Sequence, residues 1–501
     1  MNCTVFSVGA AGRIVRLRDN FLCQTSQVAS QFALRSTVGA AVLAGSTLFT
    51  PTGAQAACVP AAGVVTCDTT STTNTTSPAN PFNDREYVQN SGAAAPLNID
   101  SGATVSGFGL AISNTGAGGV AVVNNGTISV DAGNTPTVGG TAALNITAAG
   151  GPITYTGGAI TNNGTGNAFD VKQNGAGTVN LNISGSVTAA TGEGITVRDT
   201  AAGGNIDVTT GAVTALSVGK DAIDVQAQSL TGNVTIVANG AIQAGNAGIV
   251  GAILAGAATG NIDITANSTI DARFGIDAEN FGSGSTTVKT VGAVNATTGN
   301  GIFALATGGA VSVTTGAVTS TGNTAIVARQ TNAAGAGTID VTANGNVSGT
   351  TGIEATNAGN GLITVITGGT VTGTVAEGIK ATGGGGVDVQ VAGTVTGATT
   401  GLTLTGGTGG SGNISVTGAG GFVGGTGNAA TIQNNGSGTV TVNISGASSS
   451  TAGEGITVRD TAAGGTISVT TGAVTALSAG KDAIDVQAQS LTGNVTIVAN
   501  G

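Results

Sequence analysis

The chain has 501 residues, of which 89 are glycine, two are tyrosine and none is histidine or tryptophan, and only 8% carry charge. Glycine this frequent without a strict three-residue period excludes collagen, and 40% apolar residues exclude a disordered chain. A formal net charge of −10, with no cluster of Lys and Arg beyond the first residues, argues against nucleic acid or anionic lipid as a partner.

The first 56 residues differ in kind from the rest. Arg13, Arg16, Arg18 and Arg35 precede the apolar run "VGAAVLAGSTLF" at 38–49, and "AQA" follows at 54–56. A basic region, a short apolar stretch and a small-residue site read as a secretory signal cleaved between Ala56 and Ala57. No other segment approaches the length of apolar chain needed to span a bilayer as a helix. Removing residues 1–56 leaves 10 basic and 23 acidic side chains, a net charge of −13.

Residues 57–89 form a cysteine-containing segment followed by a Thr/Asn-rich linker. Cys58 and Cys67 stand in "ACVPAAGVVTCD" with Pro60 and Gly63 between them. In an export compartment, where disulfides form, a local hairpin bridge between them is easy to close. Acylation of Cys58 is the rival reading, but "QAA" lacks the leucine such sites usually carry at the third position back.

From residue 90 to 501 the chain repeats. A Gly or Ala before an aliphatic residue recurs at Ile195, Ile223, Ile249, Ile276, Ile302, Ile326, Ile353, Ile379, Leu402, Ala430, Ile456 and Ile484, at spacings of 23 to 28 residues. Earlier anchors are read at Leu110, Ala143 and Phe169. Residues 192–240 recur at 453–501 with only Asn205/Thr466, Asp207/Ser468 and Val218/Ala479 differing. The 261-residue offset is ten repeats, so the duplication kept register. Such exchange is tolerated only where units stack interchangeably.

Within a repeat the apolar period is two, as in "GNIDVTTGAVTA" at 204–215. That pattern gives short strands with one buried face, and Gly and Asn at the breaks supply the tight corners. Three short strands per repeat predict an all-β fold, a right-handed parallel β-helix of about 15–16 coils. Ile, Val, Leu and Ala point inward and Thr, Asn and Asp face water. At ~4.8 Å per coil the rod would run ~70–75 Å. Length variation should fall in corners, as in "TNAAGAG" at 331–337 and "GGTGGSG" at 406–412, because a one-residue slip in a strand turns its apolar set outward.

Catalytic chemistry finds little footing. Without histidine there is no Ser-His-Asp triad and no common zinc set, and the G-x-G-x-x-G strings are what 89 glycines produce by chance. The strongest catalytic candidates are Asp263, Asp271, Arg273 and Asp277, an acidic group with one base, as polysaccharide-active β-helices use. Phe274 and Phe281 are the only aromatics nearby and the corners are short, so a solvated polar face is the plainer reading. Glu193, Arg198, Asp199, Lys220, Asp221 and Asp224 recur as Glu454, Arg459, Asp460, Lys481, Asp482 and Asp485 through the duplication, which is no evidence of a site. No catalytic residue, cofactor or metal ligand is assigned.

The long signal ending "AQA", the cysteine loop "ACVPAAGVVTCDTT" and the Thr/Gly/Asn-rich repeats together resemble the passenger region of a Gram-negative autotransporter. That resemblance implies a surface stalk or adhesin bound for the outer membrane or exterior, whose partner is a host or abiotic surface or a glycan. It also implies a C-terminal outer-membrane barrel, which residues 1–501 do not include, so the chain is read as the N-terminal part of a longer product. A polysaccharide-active β-helical enzyme, and a haemagglutinin-like protein secreted through a partner pore, are the alternatives.

Overall fold

β-Branched residues at every second position, broken by glycine and asparagine, give strands of three to seven residues joined by tight corners. A computed structural model of the chain describes residues 58–61, 63–68, 72–74 and 85–501, apart from 138, 201–202, 229–230, 408–411, 462–464 and 490–492. All belong to one unit, Gln55–Gly501. The signal segment and its cleavage residues Ala56 and Ala57 lie outside the described residues. Every regular element among the described residues is a strand.

The strands stack into three sheets of 16, 18 and 16 strands, one strand of each sheet per coil. Fifteen complete coils run from Glu86–Gln89 to Val474–Ala476, and the strands Ile484–Ala488 and Val495–Ala499 follow the last. Each coil has an anchor strand, a middle strand and a short strand, and each pairs in parallel with its counterpart one coil away, as Ile195–Asp199 does with Ile223–Ala227. This is the three-stranded β-solenoid expected.

The anchor ladder is in the expected register. Ile195, Ile223, Ile249, Ile276, Ile302 and Ile326 are direct partners in successive coils, and none is more than 1% exposed. The anchor of one early coil is Leu144, not Ala143. Leu144 pairs with Leu110 on one side and Phe169 on the other, while Ala143 supplies the corner carbonyl that accepts from Leu110 N at 2.8 Å. The larger side chain takes the ladder position because it fills the core there. Tyr155 and Phe169 pack with ring centroids 5.0 Å apart, a small aromatic layer near the N-terminal end.

Corners are where coils differ in length: residues 331–337 lie at the turn from an anchor to a middle strand, while of 406–412 Gly406 ends the anchor strand Leu402–Gly406 and 408–411 lie outside the described residues. Among the described coils one corner breaks the expected uniformity: residues 131–143 separate Thr127–Val130 from Leu144–Ala148. Within it Asn134 Nδ2 donates to Gly107 O of the preceding coil at 2.8 Å. Glycine is required where corners stack. Gly109 has φ +70°, and a Cβ on it would run into the Ala143 carbonyl.

The stack also begins before residue 90. β1 (Val59–Ala61) and β2 (Val64–Cys67) form an antiparallel pair, and β3 (Thr72–Asn74) and β4 (Glu86–Gln89) follow. β2 then pairs in parallel with β5 (Ala95–Ile99) through Val65, Thr66 and Cys67, and β3 pairs with β6 (Thr104–Gly107).

Candidate functional site

The four sequence-derived catalytic candidates are not brought together. Asp263 lies on the middle strand Ile262–Ala266, Asp271 on the short strand Ile270–Ala272, and Asp277 on the anchor strand Phe274–Asn280. They therefore occupy three different sheets. Asp263, Asp271 and Arg273 are exposed and Asp277 is half-buried. Asp271 accepts from Asn295 Nδ2 at 2.7 Å and Arg273 Nε donates to Thr298 Oγ1 at 3.2 Å, each a link to the next coil. Residues close in sequence turn a corner between sheets, so a short acidic run is scattered over faces.

The densest polar constellation lies elsewhere, on the outer side of the anchor sheet beneath the corners that lead into it. Asp170, Thr196 and Asp224 are register partners at the second position of three successive anchor strands. Asn167 Nδ2 donates to Asp170 Oδ1 at 2.8 Å and to Thr196 Oγ1 at 3.3 Å, and Thr196 Oγ1 donates to Glu193 Oε2 at 3.0 Å. Glu193 N donates to Asn167 Oδ1 at 2.8 Å. One coil on, Asp221 Oδ1 accepts from Asn246 Nδ2 at 2.6 Å and from Ala247 N at 2.9 Å. Arg198 Nη2 meets Asp224 Oδ2 at 2.5 Å, and its Nη1 donates to Asp224 O at 3.0 Å. The network ties four coils together.

Glu193, Asp221 and Asp224 each place a carboxyl oxygen within 4.8 Å of the others, close enough for a shared cation. The Arg198 guanidinium brings positive charge to two of them, bonded to Asp224 and drawing on Glu193 electrostatically. Burial, then repulsion from Asp224 and Asp221, holds the Glu193 carboxyl above the usual carboxylate range. Burial also raises Asp170, against the pull of its Asn167 and Thr196 hydrogen bonds. Chemically this is a hydrogen-bonded brace.

The Asn–Thr–Glu part of the brace recurs with the duplication. Thr457 Oγ1 donates to Glu454 Oε2 at 2.9 Å, Glu454 N to Asn428 Oδ1 at 2.9 Å, and Asn428 Nδ2 to Thr457 Oγ1 at 3.0 Å. Thr431 stands where the first copy has Asp170 and accepts from Asn428 Nδ2 at 3.1 Å. Among the described residues two outward ion pairs join neighbouring coils, Arg198–Asp224 and Arg329–Glu354, the latter at 2.6 Å.

Sequence reasoning placed Asn and Asp in water, and here the structure corrects it. Four residues after the anchor of many anchor strands a polar side chain points inward: Asn114, Gln173, Asp199, Asn280, Gln330, Asn357, Asn434 and Asp460 are all at most 3% exposed. Asn280 shows the reason. Its Nδ2 donates to Gly260 O at 2.9 Å and Ser285 O at 3.2 Å, and its Oδ1 accepts from Gly282 N at 3.0 Å. A sharp corner leaves backbone groups without ladder partners, and one amide satisfies three of them. Parity was the available signal, since this position faces the same way as the anchor two and four residues earlier.

Arg85 was also missed. Its guanidinium is fully buried, with Nη1 donating to Phe108 O at 3.0 Å and Nη2 bonded to Ala142 O. Burial brings its pKa down to about 10, so it stays charged at neutral pH. At the N-terminal end Cys58 and Cys67 form a disulfide with Cα atoms 4.3 Å apart. No protein-family model, curated protein or solved structure matches the chain, so its chemistry is read from its own geometry.

Proposed function

We propose that the chain is the passenger part of an autotransporter-like outer-membrane protein and acts, once exported, as a non-enzymatic stalk or adhesin at the cell surface. The observation that carries this reading is the regularity of its outer faces. Apart from the corner at 131–143, the described coils differ by only a few residues, and the acid/base group of the sequence is spread over three sheets. Outward positions of the middle and short strands are mainly Thr, Ser, Asn and Asp, while the anchor sheet also carries Val250, Phe303, Leu305 and Val327. Binding to a host surface, an abiotic surface or a glycan then comes from many weak, repeated contacts, whose avidity grows with the number engaged.

The test joins the chain, with its own N-terminus, to an outer-membrane barrel in a Gram-negative cell. The expected result is a mature N-terminus at Ala57, digestion by protease added outside the cell, adhesion that weakens gradually as coils are removed, and no sugar released from a polysaccharide panel. Release of sugar that disappears in Asp271→Asn or Arg273→Ala would overturn the non-enzymatic reading. Retention of residues 1–56, or protection from external protease, would overturn the surface assignment.

A further inference from the structure

We propose that the Cys58–Cys67 hairpin is a thiol-sensitive cap: closed, it holds β1 and β2 on the first coil, and opened by a dithiol it releases them and frays the coils behind. This device stands on the geometry of the N-terminal end and is independent of the functional proposal above.

β1 and β2 are the one antiparallel strand pair among the described strands, with Val59 opposite Thr66, Pro60 opposite Val65 and Ala61 opposite Val64. The reversal ends the parallel stacking of the middle sheet at that edge. Pro60 has no N–H to offer a further strand, a common way of closing a sheet edge. Both cysteines are buried and belong to the continuous core, and Cys67 is the register partner of Ile99. The bridge therefore fastens the hairpin to the hydrophobic interior.

Among the described residues the contacts that hold the hairpin to the coil behind it are local. β2 rests on β5 through three register pairs, supported by Asp100 N donating to Cys67 O at 2.9 Å. Two side chains of β4 reach it, with Tyr87 Oη donating to Cys58 O at 2.7 Å and Gln89 Nε2 to Gly63 O at 2.8 Å. The bridge closes a loop of nine residues' separation at the end of the stack, which keeps the open ensemble of the hairpin small.

Opening proceeds by thiol–disulfide exchange. A reductant thiolate attacks one sulfur, its second thiolate displaces the mixed disulfide, and the dithiol becomes a cyclic disulfide. Cys58 and Cys67 together gain two electrons and two protons. Because both sulfurs are buried, attack follows local fraying of β1 and β2. Release of β2 leaves β5 as an unpaired edge, a template for pairing with another chain.

Hydrogen exchange read by mass spectrometry on the exported chain, before and after a dithiol, tests this directly, with a 2 Da mass increase confirming opening. A Cys58→Ser/Cys67→Ser double variant supplies the open state if the buried bond resists reduction. The expected result is exchange about tenfold faster or more at Ala95–Ile99 and Leu110–Asn114, with Ile339–Ala343 unchanged. Equal exchange at Ala95–Ile99 in the closed and open forms would overturn the cap. So would equal loss of protection at Ile339–Ala343, because the bridge would then support the whole fold and not its end.

Discussion

The inward amide at a corner does at residue scale what a cap does for a helix. Asn357 donates to Gly337 O at 2.8 Å and Gly361 O at 3.0 Å and accepts from Gly359 N at 3.0 Å. Replacing it by leucine keeps the bulk and strands three buried backbone groups. Asn357→Leu is expected to lower stability by about 2–3 kcal/mol, read as faster hydrogen exchange over residues 337–361. An equal loss for Thr356→Val, on the outward neighbour, would show that the inward bonds are not the cause. Glu193 has a pH signature. Its folded-state pKa is raised, so its contribution is fully present below the unfolded pKa and is lost as pH rises through the folded value. Glu193→Gln keeps the acceptor for Thr196 and removes the charge. The variant is expected to match the parent in acid and exceed it at pH 8, in urea midpoints measured at both. No gain at pH 8 would mean that the Arg198 attraction outweighs the burial and repulsion.

Elements here are set by the parity of their side chains. A middle strand such as Ile262–Ala266 buries Ile262, Ile264 and Ala266 and exposes Asp263. Inserting one alanine after Asp263 moves Ile264 outward and Ala266 with it. The same insertion within 331–337 lengthens a corner only. The first is expected to abolish cooperative unfolding of the neighbouring coils and the second to change the urea midpoint little. Ile302→Ala, which empties a ladder position between Ile276 and Ile326, is expected to cost about 2–5 kcal/mol. These strands were legible in the sequence because alternation and a Gly or Ala before each anchor mark both phase and corner. The Ala143/Leu144 slip was not, since two adjacent apolar residues leave the phase undecided until the neighbouring coils fix it. Nor was the brace around Glu193: the bonds that join its coils link residues 25 to 29 positions apart, and Asn and Thr are too common in this chain to stand out.

At the scale of the whole molecule, each coil packs against its neighbours along one continuous core, so stability accumulates by stacking. The near-identity of 192–240 and 453–501 makes this directly testable, because the two segments place the same side chains in the same register. Ile195 pairs with Ile223 as Ile456 pairs with Ile484, and the Glu193 and Glu454 networks share the same bonds to Asn and Thr. Coils are interchangeable structural units. Joining Gly192 to Glu454 removes ten coils and keeps every strand in phase. Small-angle scattering of the parent and the shortened chain, taken from the same host, measures the outcome. The predicted result is a longest dimension smaller by ~48 Å, ten rungs of ~4.8 Å, with hydrogen-exchange protection of the remaining coils retained. A shortened chain that unfolds or aggregates, or one whose longest dimension does not fall in proportion, would contradict it.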